Sequence, residues 1–273
     1  MKLHELNNLT DNFPSTEKFP AIFVGHGSPM NAIEENDFTR NLKLIGKNLP
    51  KPKAILVISA HWQTIGTFIA STKNPQTIHD FGGFPEELYR IKYPAVGSPQ
   101  FANFVKETIT KTETKLDTSM GLDHGAWTML IHLFPNADVP VFELSLDCAI
   151  SPQEHFELAQ ELTHLRRKGV LILGSGNIVH NLRLLRWGNE NATPFDWALE
   201  FDEKVKSNLL DGSFYELIAY EKLGTAAMYS VPTNEHYLPM LYTLATKEKD
   251  EELKFLYEGF QYASTSMRCF RIG

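Results

Sequence analysis

The chain has 273 residues, 42% hydrophobic and 22% charged, enough to bury a substantial core in one large domain or two small ones. Its formal net charge is -7 and no basic block stands out, which argues against a nucleic-acid partner. The two cysteines, Cys148 and Cys269, lack a CxxC neighbour, no apolar run is long enough for a membrane span, and the first residues lack the apolar core of a secretory signal. A reducing, cytoplasmic setting without a membrane partner is therefore the default expectation.

Residues 1–19 are polar and mixed in charge and read as a flexible N-terminal arm, with a single domain over 20–273. Pro20-Ala21-Ile22-Phe23-Val24 is an apolar run, expected as a strand buried on both faces. It ends in Gly25-His26-Gly27-Ser28-Pro29, where the glycines permit a sharp turn beside the imidazole. Asp37 to Leu49 carries Phe38, Leu42 and Ile45 at helical spacing. Lys51-Pro52-Lys53 breaks that helix and leads into a second apolar run, Ala54 to Ala60, ending in His61-Trp62. Thr67 to Ala70 is a further short strand candidate.

The segment Thr77-Ile78-His79-Asp80-Phe81-Gly82-Gly83-Phe84-Pro85 reads either as a loop that shapes a pocket or as a surface turn with two packing phenylalanines. Ser98-Pro99 starts a helix to about Lys111 by the cap-then-proline rule. Asp123 is a candidate cap for a helix running to Phe134, with His124 in its first turn. Pro140 to Leu146 reads as a strand. Ser151-Pro152-Gln153-Glu154 has the form of a capping box opening a long helix to Lys168.

A third apolar run, Gly169 to Gly176, leads to Asn177-Ile178-Val179-His180-Asn181. Trp197 to Leu210 is expected as helix. A fourth and weaker run, Gly224 to Ser230, is read as a strand leading to Glu235-His236. His236 to Thr246 reads as helix and Ser266 to Ile272 as a last strand. If the four runs are parallel strands of one sheet, their carboxyl ends share an edge, the usual place for ligands in open α/β sheets. Several imidazoles converging there point to a metal, since imidazole binds iron, zinc, copper and nickel.

Other signals are weaker. Gly174-Ser175-Gly176 has no third glycine and no following Lys-Ser/Thr, so a nucleotide loop is disfavoured. No G-x-S-x-G elbow supports a serine hydrolase. His4, His132, His155 and His164 are expected as surface or packed residues rather than ligands.

As a set and in order, Gly25-His26-Gly27-Ser28-Pro29, Ser59-Ala60-His61-Trp62, His79 to Pro85, Asp123-His124-Gly125, Ser175 to Asn181 and Glu235-His236-Tyr237 resemble the class III extradiol ring-cleavage dioxygenases. The similarity is to the DOPA 4,5-dioxygenase-like subgroup and runs from about Pro20 to the C-terminus. It implies a single α/β domain around a mixed, largely parallel sheet flanked by helices. It also implies a metal-dependent enzyme that opens a catechol, DOPA-like substrate with O2 to a muconic semialdehyde, with a small aromatic diol and O2 as its partners.

By that resemblance His26, His61 and His236 are metal ligands. His180 is the active-site base and a candidate further ligand. His124 is an acid or substrate-binding histidine, and His79 and Asp80 are candidates for substrate contact. Fe(II) is the implied catalytic metal. An all-imidazole set also suits Zn(II), which can occupy the site on isolation. The rival classes are a zinc-dependent hydrolase and a non-catalytic binding protein on the same fold.

Overall fold

The computed structural model describes residues 13–273, so most of the segment read as an arm, and His4 with it, lies outside the described residues. Residues 13–19 pack against the body: the Phe13 ring sits 4.3 Å from that of Phe101, and Thr16 N donates to Arg167 O at 2.7 Å.

The apolar runs become strands where their burial is continuous. β1 (Ala21–Gly25), β2 (Ala54–Ser59) and β4 (Val170–Gly176) are buried at every position, with the short β3 (Val141–Glu143) beside β2. β5 (Leu253–Tyr257) and β6 (Cys269–Ile272) complete a six-stranded sheet of order β3-β2-β4-β1-β6-β5. The first four strands in that order pair in parallel, and β6 runs antiparallel to both β1 and β5.

Alternate residues feed two cores. Phe23, Leu56, Ile58 and Ile172 face one side, under α2 (Pro99–Thr108), α4 (Pro152–Gln160), α5 (Asp196–Asp211) and α7 (Leu238–Ala245). Ile22, Val24, Ile55, Val57, Leu171 and Leu173 face the other, under α1 (Asp37–Asn48) and α3 (His124–Leu133). The molecule is thus a single α/β domain, three layers deep, with a mixed and mostly parallel sheet in the middle.

The helix starts follow their caps. Asn36, Ser98, Asp123 and Ser151 each accept a backbone N–H from the first turn, and Asn36 and Ser151 form reciprocal capping boxes. Three elements differ from the sequence expectations. Residues 224–230 are not a strand but a helix, α6 (Thr225–Ser230), because burial falls on Ala226, Ala227 and Ser230 while Met228 and Tyr229 face out, a helical stripe rather than an alternation. The long helix from Ser151 stops at Gln160, and a separate 3-10 turn, Thr163–Lys168, ends at Gly169 with φ 82°. His236 does not open a helix: α7 starts at Leu238 with Pro239 in its first turn.

The register aligns the carboxyl ends. Gly25 pairs with Gly176, and Ser59 with Ser175, so the residues after β1, β2 and β4 emerge at one edge. At that edge α7 lies almost on the backbone of β4. A Cβ on Gly174 would meet Pro239 O at 2.4 Å, and one on Gly176 would meet His236 O at 2.2 Å.

Candidate metal centre

Backbone hydrogen bonds carry the sheet just past its strands and deliver the histidines. His26 N donates to Gly176 O at 3.0 Å, and Ala60 N donates to Ser175 O at 3.0 Å. The chain then turns at Gly27, whose φ is 62°. His236 arrives from another element: its carbonyl accepts Asn177 N at 2.8 Å, which fixes it beside the end of β4. The fourth histidine-bearing run therefore reaches the edge through an extended segment after α6 rather than as a strand.

Three imidazoles meet there. Nε2 of His26 and Nε2 of His61 lie 3.2 Å apart, and the ligating atoms of His26, His61 and His236 all fall within 4.8 Å of one another. The opposite nitrogens are engaged. His26 Nδ1 is 3.0 Å from Ser175 Oγ, and that hydroxyl gives its single proton to Gly125 O at 2.6 Å. Ser175 can therefore only accept from His26, which puts the proton on Nδ1 and leaves Nε2 a bare lone pair. His61 Nδ1 lies 3.4 Å from Asp80 Oδ2, and His236 Nδ1 donates to Glu235 Oε1 at 2.9 Å.

His236 Nε2 is buried with no partner among the described residues. Burial, reinforced by the neighbouring imidazoles, pushes His26 and His236 well below the ordinary histidine range and brings His61 to about 3, so all three are neutral at neutral pH. At 3.2 Å the His26 and His61 Nε2 atoms are bridged either by a proton carried on His61 or by a cation that takes both lone pairs. Bonds of about 2.1 Å to one ion place two ligand nitrogens roughly 3 Å apart, so the donor set fits a metal. A hydroxyl or carboxylate behind each ligating ring is the usual way proteins orient such imidazoles.

Two more histidines flank this trio. His180 N donates to Ser230 O at 2.8 Å, and the His180 ring stacks on His236 with centroids 3.5 Å apart and planes within 11°. Burial lowers His180 to about 4, with His124 adding to the shift. The His124 ring centroid is 3.8 Å from that of His61. His124 N donates to Asp80 Oδ1 at 2.8 Å, and its Nδ1 lies 2.9 Å from Asp80 Oδ2. Burial alone would raise the Asp80 carboxyl, but the contacts with His124 outweigh it and hold the group below its usual range.

These residues open into a cavity of about 330 Å³ whose outer wall is apolar, formed by Phe81, Phe84, Leu182, Leu185, Trp187 and Tyr262. Asp80 lines it. His79 is not among its lining residues: its Nε2 is 3.0 Å from Ile91 O and its ring packs 5.5 Å from Trp127. A larger, more open recess of about 730 Å³ lies behind Glu235 and contains none of the clustered imidazoles. His132 and His155 are buried and hydrogen-bonded to Asn31 O and the Tyr242 hydroxyl, at 2.7 Å and 2.8 Å.

Sequence reasoning missed Ser175, the hydroxyl behind His26, and gave Glu235 no role behind His236. The first signal was available, since Ser175 is the one polar side chain in the run from Val170 to Gly176. The apolar wall from 182 to 187 carried no periodic signal.

Residues 20–270 match the family described as the catalytic LigB subunit of aromatic ring-opening dioxygenase. A 4,5-DOPA dioxygenase extradiol of Escherichia coli is 43% identical over 269 residues, covering 96% of this chain and 98% of the relative. A protein of the same name from Beta vulgaris is 34% identical, covering 88% and 91% respectively. A crystal structure of an uncharacterized protein from Escherichia coli superposes with a TM-score of 0.82 at 38% identity, covering 94% of this chain and all of that one.

Proposed function

Since the chain belongs to the class III extradiol dioxygenases of the LigB type, we propose that it opens the ring of a catechol, DOPA-like diol with O2 to a muconic semialdehyde, using Fe(II) held by His26, His61 and His236. The observation that carries this reading is the donor set: three neutral imidazoles whose nitrogens converge within 4.8 Å, two of them with Nδ1 hydrogen-bonded, and His236 Nε2 buried without a partner among the described residues. The names of the relatives support the DOPA-like substrate class. A bound Fe(II) supplies a path for electrons from an electron-rich diol to dioxygen.

The remaining steps fall to the protein. The apolar wall takes the aromatic ring and excludes water from the reacting face. His180, neutral and held by its stack on His236, accepts a hydroxyl proton as the diol binds, and returns it as the ring opens. His124, with Nδ1 turned to Asp80, keeps Nε2 for a substrate oxygen. Fixing diol and dioxygen side by side removes much of the orientational cost of the reaction.

Zn(II) competes for the same imidazoles, being above Fe(II) in affinity for nitrogen donors, but it has no redox chemistry to offer dioxygen. The test is to strip the protein, reload it anaerobically with Fe(II), and follow O2 uptake and yellow ring-opened product over a panel of catechols. Turnover with Fe(II) and none with Zn(II) is expected. No O2 uptake with any catechol, together with ester or amide hydrolysis under Zn(II), overturns the reading in favour of a hydrolase.

A further inference from the structure

Behind the histidines lies a second layer that the mechanism above does not use. Glu143 ends β3 at the same sheet edge and is fully buried, and Asp123, the cap of α3, is 2% exposed. Glu143 Oε1 accepts Asp123 N at 3.2 Å. Asp123 Oδ1 accepts the Ser59 hydroxyl at 2.7 Å and Ala126 N at 3.0 Å. The other oxygens, Asp123 Oδ2 and Glu143 Oε2, are buried and find no donor among the described residues, although the two side chains are brought together by the contact of Asp123 N with Glu143 Oε1. No Lys or Arg among the described residues hydrogen-bonds either group, and the other ionisable groups that act on the pair are Asp80 and His124.

Two bare carboxylates cannot share such a pocket, because each would be buried without a counter-charge. One proton between them satisfies both orphaned oxygens and leaves a single negative charge. We propose that Glu143 shares a proton with Asp123 Oδ2, and that this pair is the positioning element that holds the His61 turn and the His124 helix in register.

The connections explain why this position matters. Ser59, which donates to Asp123, also accepts His61 N at 3.3 Å, so Asp123 holds the turn carrying a ligand. Through Ala126 the same carboxylate holds the first turn of the helix that begins at His124. Glu143 grips Asp123 from behind by its backbone N–H and by the shared proton. Removing Glu143 leaves Asp123 Oδ2 an unpaired buried anion, which turns toward any donor it can reach and releases Ser59 or Ala126. A neutral amide at position 143 reproduces both contacts: its oxygen accepts Asp123 N–H and its NH2 donates to Oδ2.

For its catalytic consequence the proposal rests on the ring-cleavage reading, so one readout is chosen to be independent of activity. The infrared difference spectrum of the wild-type chain against Glu143→Gln at neutral pH is expected to show loss of a protonated-carboxyl C=O band. With Fe(II) and a catechol, Glu143→Gln is expected to keep kcat within about threefold, since both hydrogen bonds survive. Glu143→Leu is expected to lose about tenfold to a hundredfold in kcat with KM little changed, the penalty of small misplacement.

A missing carboxyl band overturns the shared proton. Glutamine as poor as leucine, or leucine as good as the wild type, overturns the positioning role. If the leucine variant does not fold, normal turnover in the glutamine variant with the band lost upholds the proposal, and impaired turnover or a retained band sinks it. Should the wild-type chain cleave no catechol, the ring-cleavage reading falls, while the band still upholds or overturns the shared proton.

Discussion

At the scale of single residues, the proposed division between ligand and base rests on how the rings meet. The nitrogens of His26, His61 and His236 lie within 4.8 Å of one another, whereas the His180 ring lies flat on that of His236. Replacing His180 with glutamine is therefore expected to leave metal content near that of the wild type while lowering kcat by about 10²–10⁴-fold, the usual worth of a positioned base. Metal analysis beside steady-state kinetics checks this, and loss of the metal from His180→Gln would make His180 a ligand. The five clustered histidines were legible because each follows an apolar run, a turn or a capping residue that fixes its place. His79 was not, because neighbouring residues of an irregular loop diverge: Asp80 faces the cavity while His79 turns to Ile91 O. Glu143 was equally hidden, a lone acid in the apolar run Val141-Phe142-Glu143-Leu144, readable only once Asp123 is beside it.

At the scale of elements, the site depends on how closely the start of α7 approaches β4. The close approach at Gly176 involves the backbone of His236, not a flexible side chain that could swing aside. Gly176→Ala is expected to cost about 1–3 kcal/mol of stability by overpacking and to weaken metal binding, because His236 must move with its carbonyl. Thermal melts and chelator competition read the two effects, and an alanine variant with wild-type metal affinity would show that His236 is not fixed by this contact. Elements with local signals were legible in advance: fully apolar strands, and helices announced by Asn36, Ser98, Asp123 and Ser151. Those decided by their surroundings were not. The short α6 looks as apolar as a strand until its neighbours show which residues they cover, and β5, a half-exposed strand at the sheet's edge, offers only a broken alternation over Leu253-Lys254-Phe255-Leu256-Tyr257.

At the scale of the whole molecule, the two ends of the sheet are stabilised by different means. Away from the histidines, the fully buried Arg166 donates to Phe19 O, Thr246 O and Ile272 O, and to both oxygens of Glu251 at 2.6 and 2.7 Å. One side chain thus joins the approach to β1, the end of α7 and the end of β6. Burial would raise the Glu251 carboxyl, but hydrogen bonds from Arg166 and Lys18 outweigh it and bring the group from 4.5 to about 2. A depressed carboxyl stabilises the fold above its unfolded value and loses that contribution as pH falls through the folded one. Glu251→Gln is expected to lower stability by about 2 kcal/mol at neutral pH, allowing for the water that reaches the pair, with the deficit shrinking between pH 4.5 and about 2. A deficit that does not change over that range would remove the ion pair from the account. At the other end, the proposed ligands come from positions 26, 61 and 236, segments that meet only in the folded chain. A metal that binds this trio therefore stabilises the native state alone. At a free concentration of a hundred times Kd it adds about 2.7 kcal/mol, or roughly 5–10 °C in Tm for a domain of this size. Adding Fe(II) anaerobically, or Zn(II), to the stripped protein is expected to produce that shift, and His61→Ala is expected to abolish it. A metal-dependent shift that survives His61→Ala would move the ion away from these three imidazoles, and with it the chemistry assigned to this edge of the sheet.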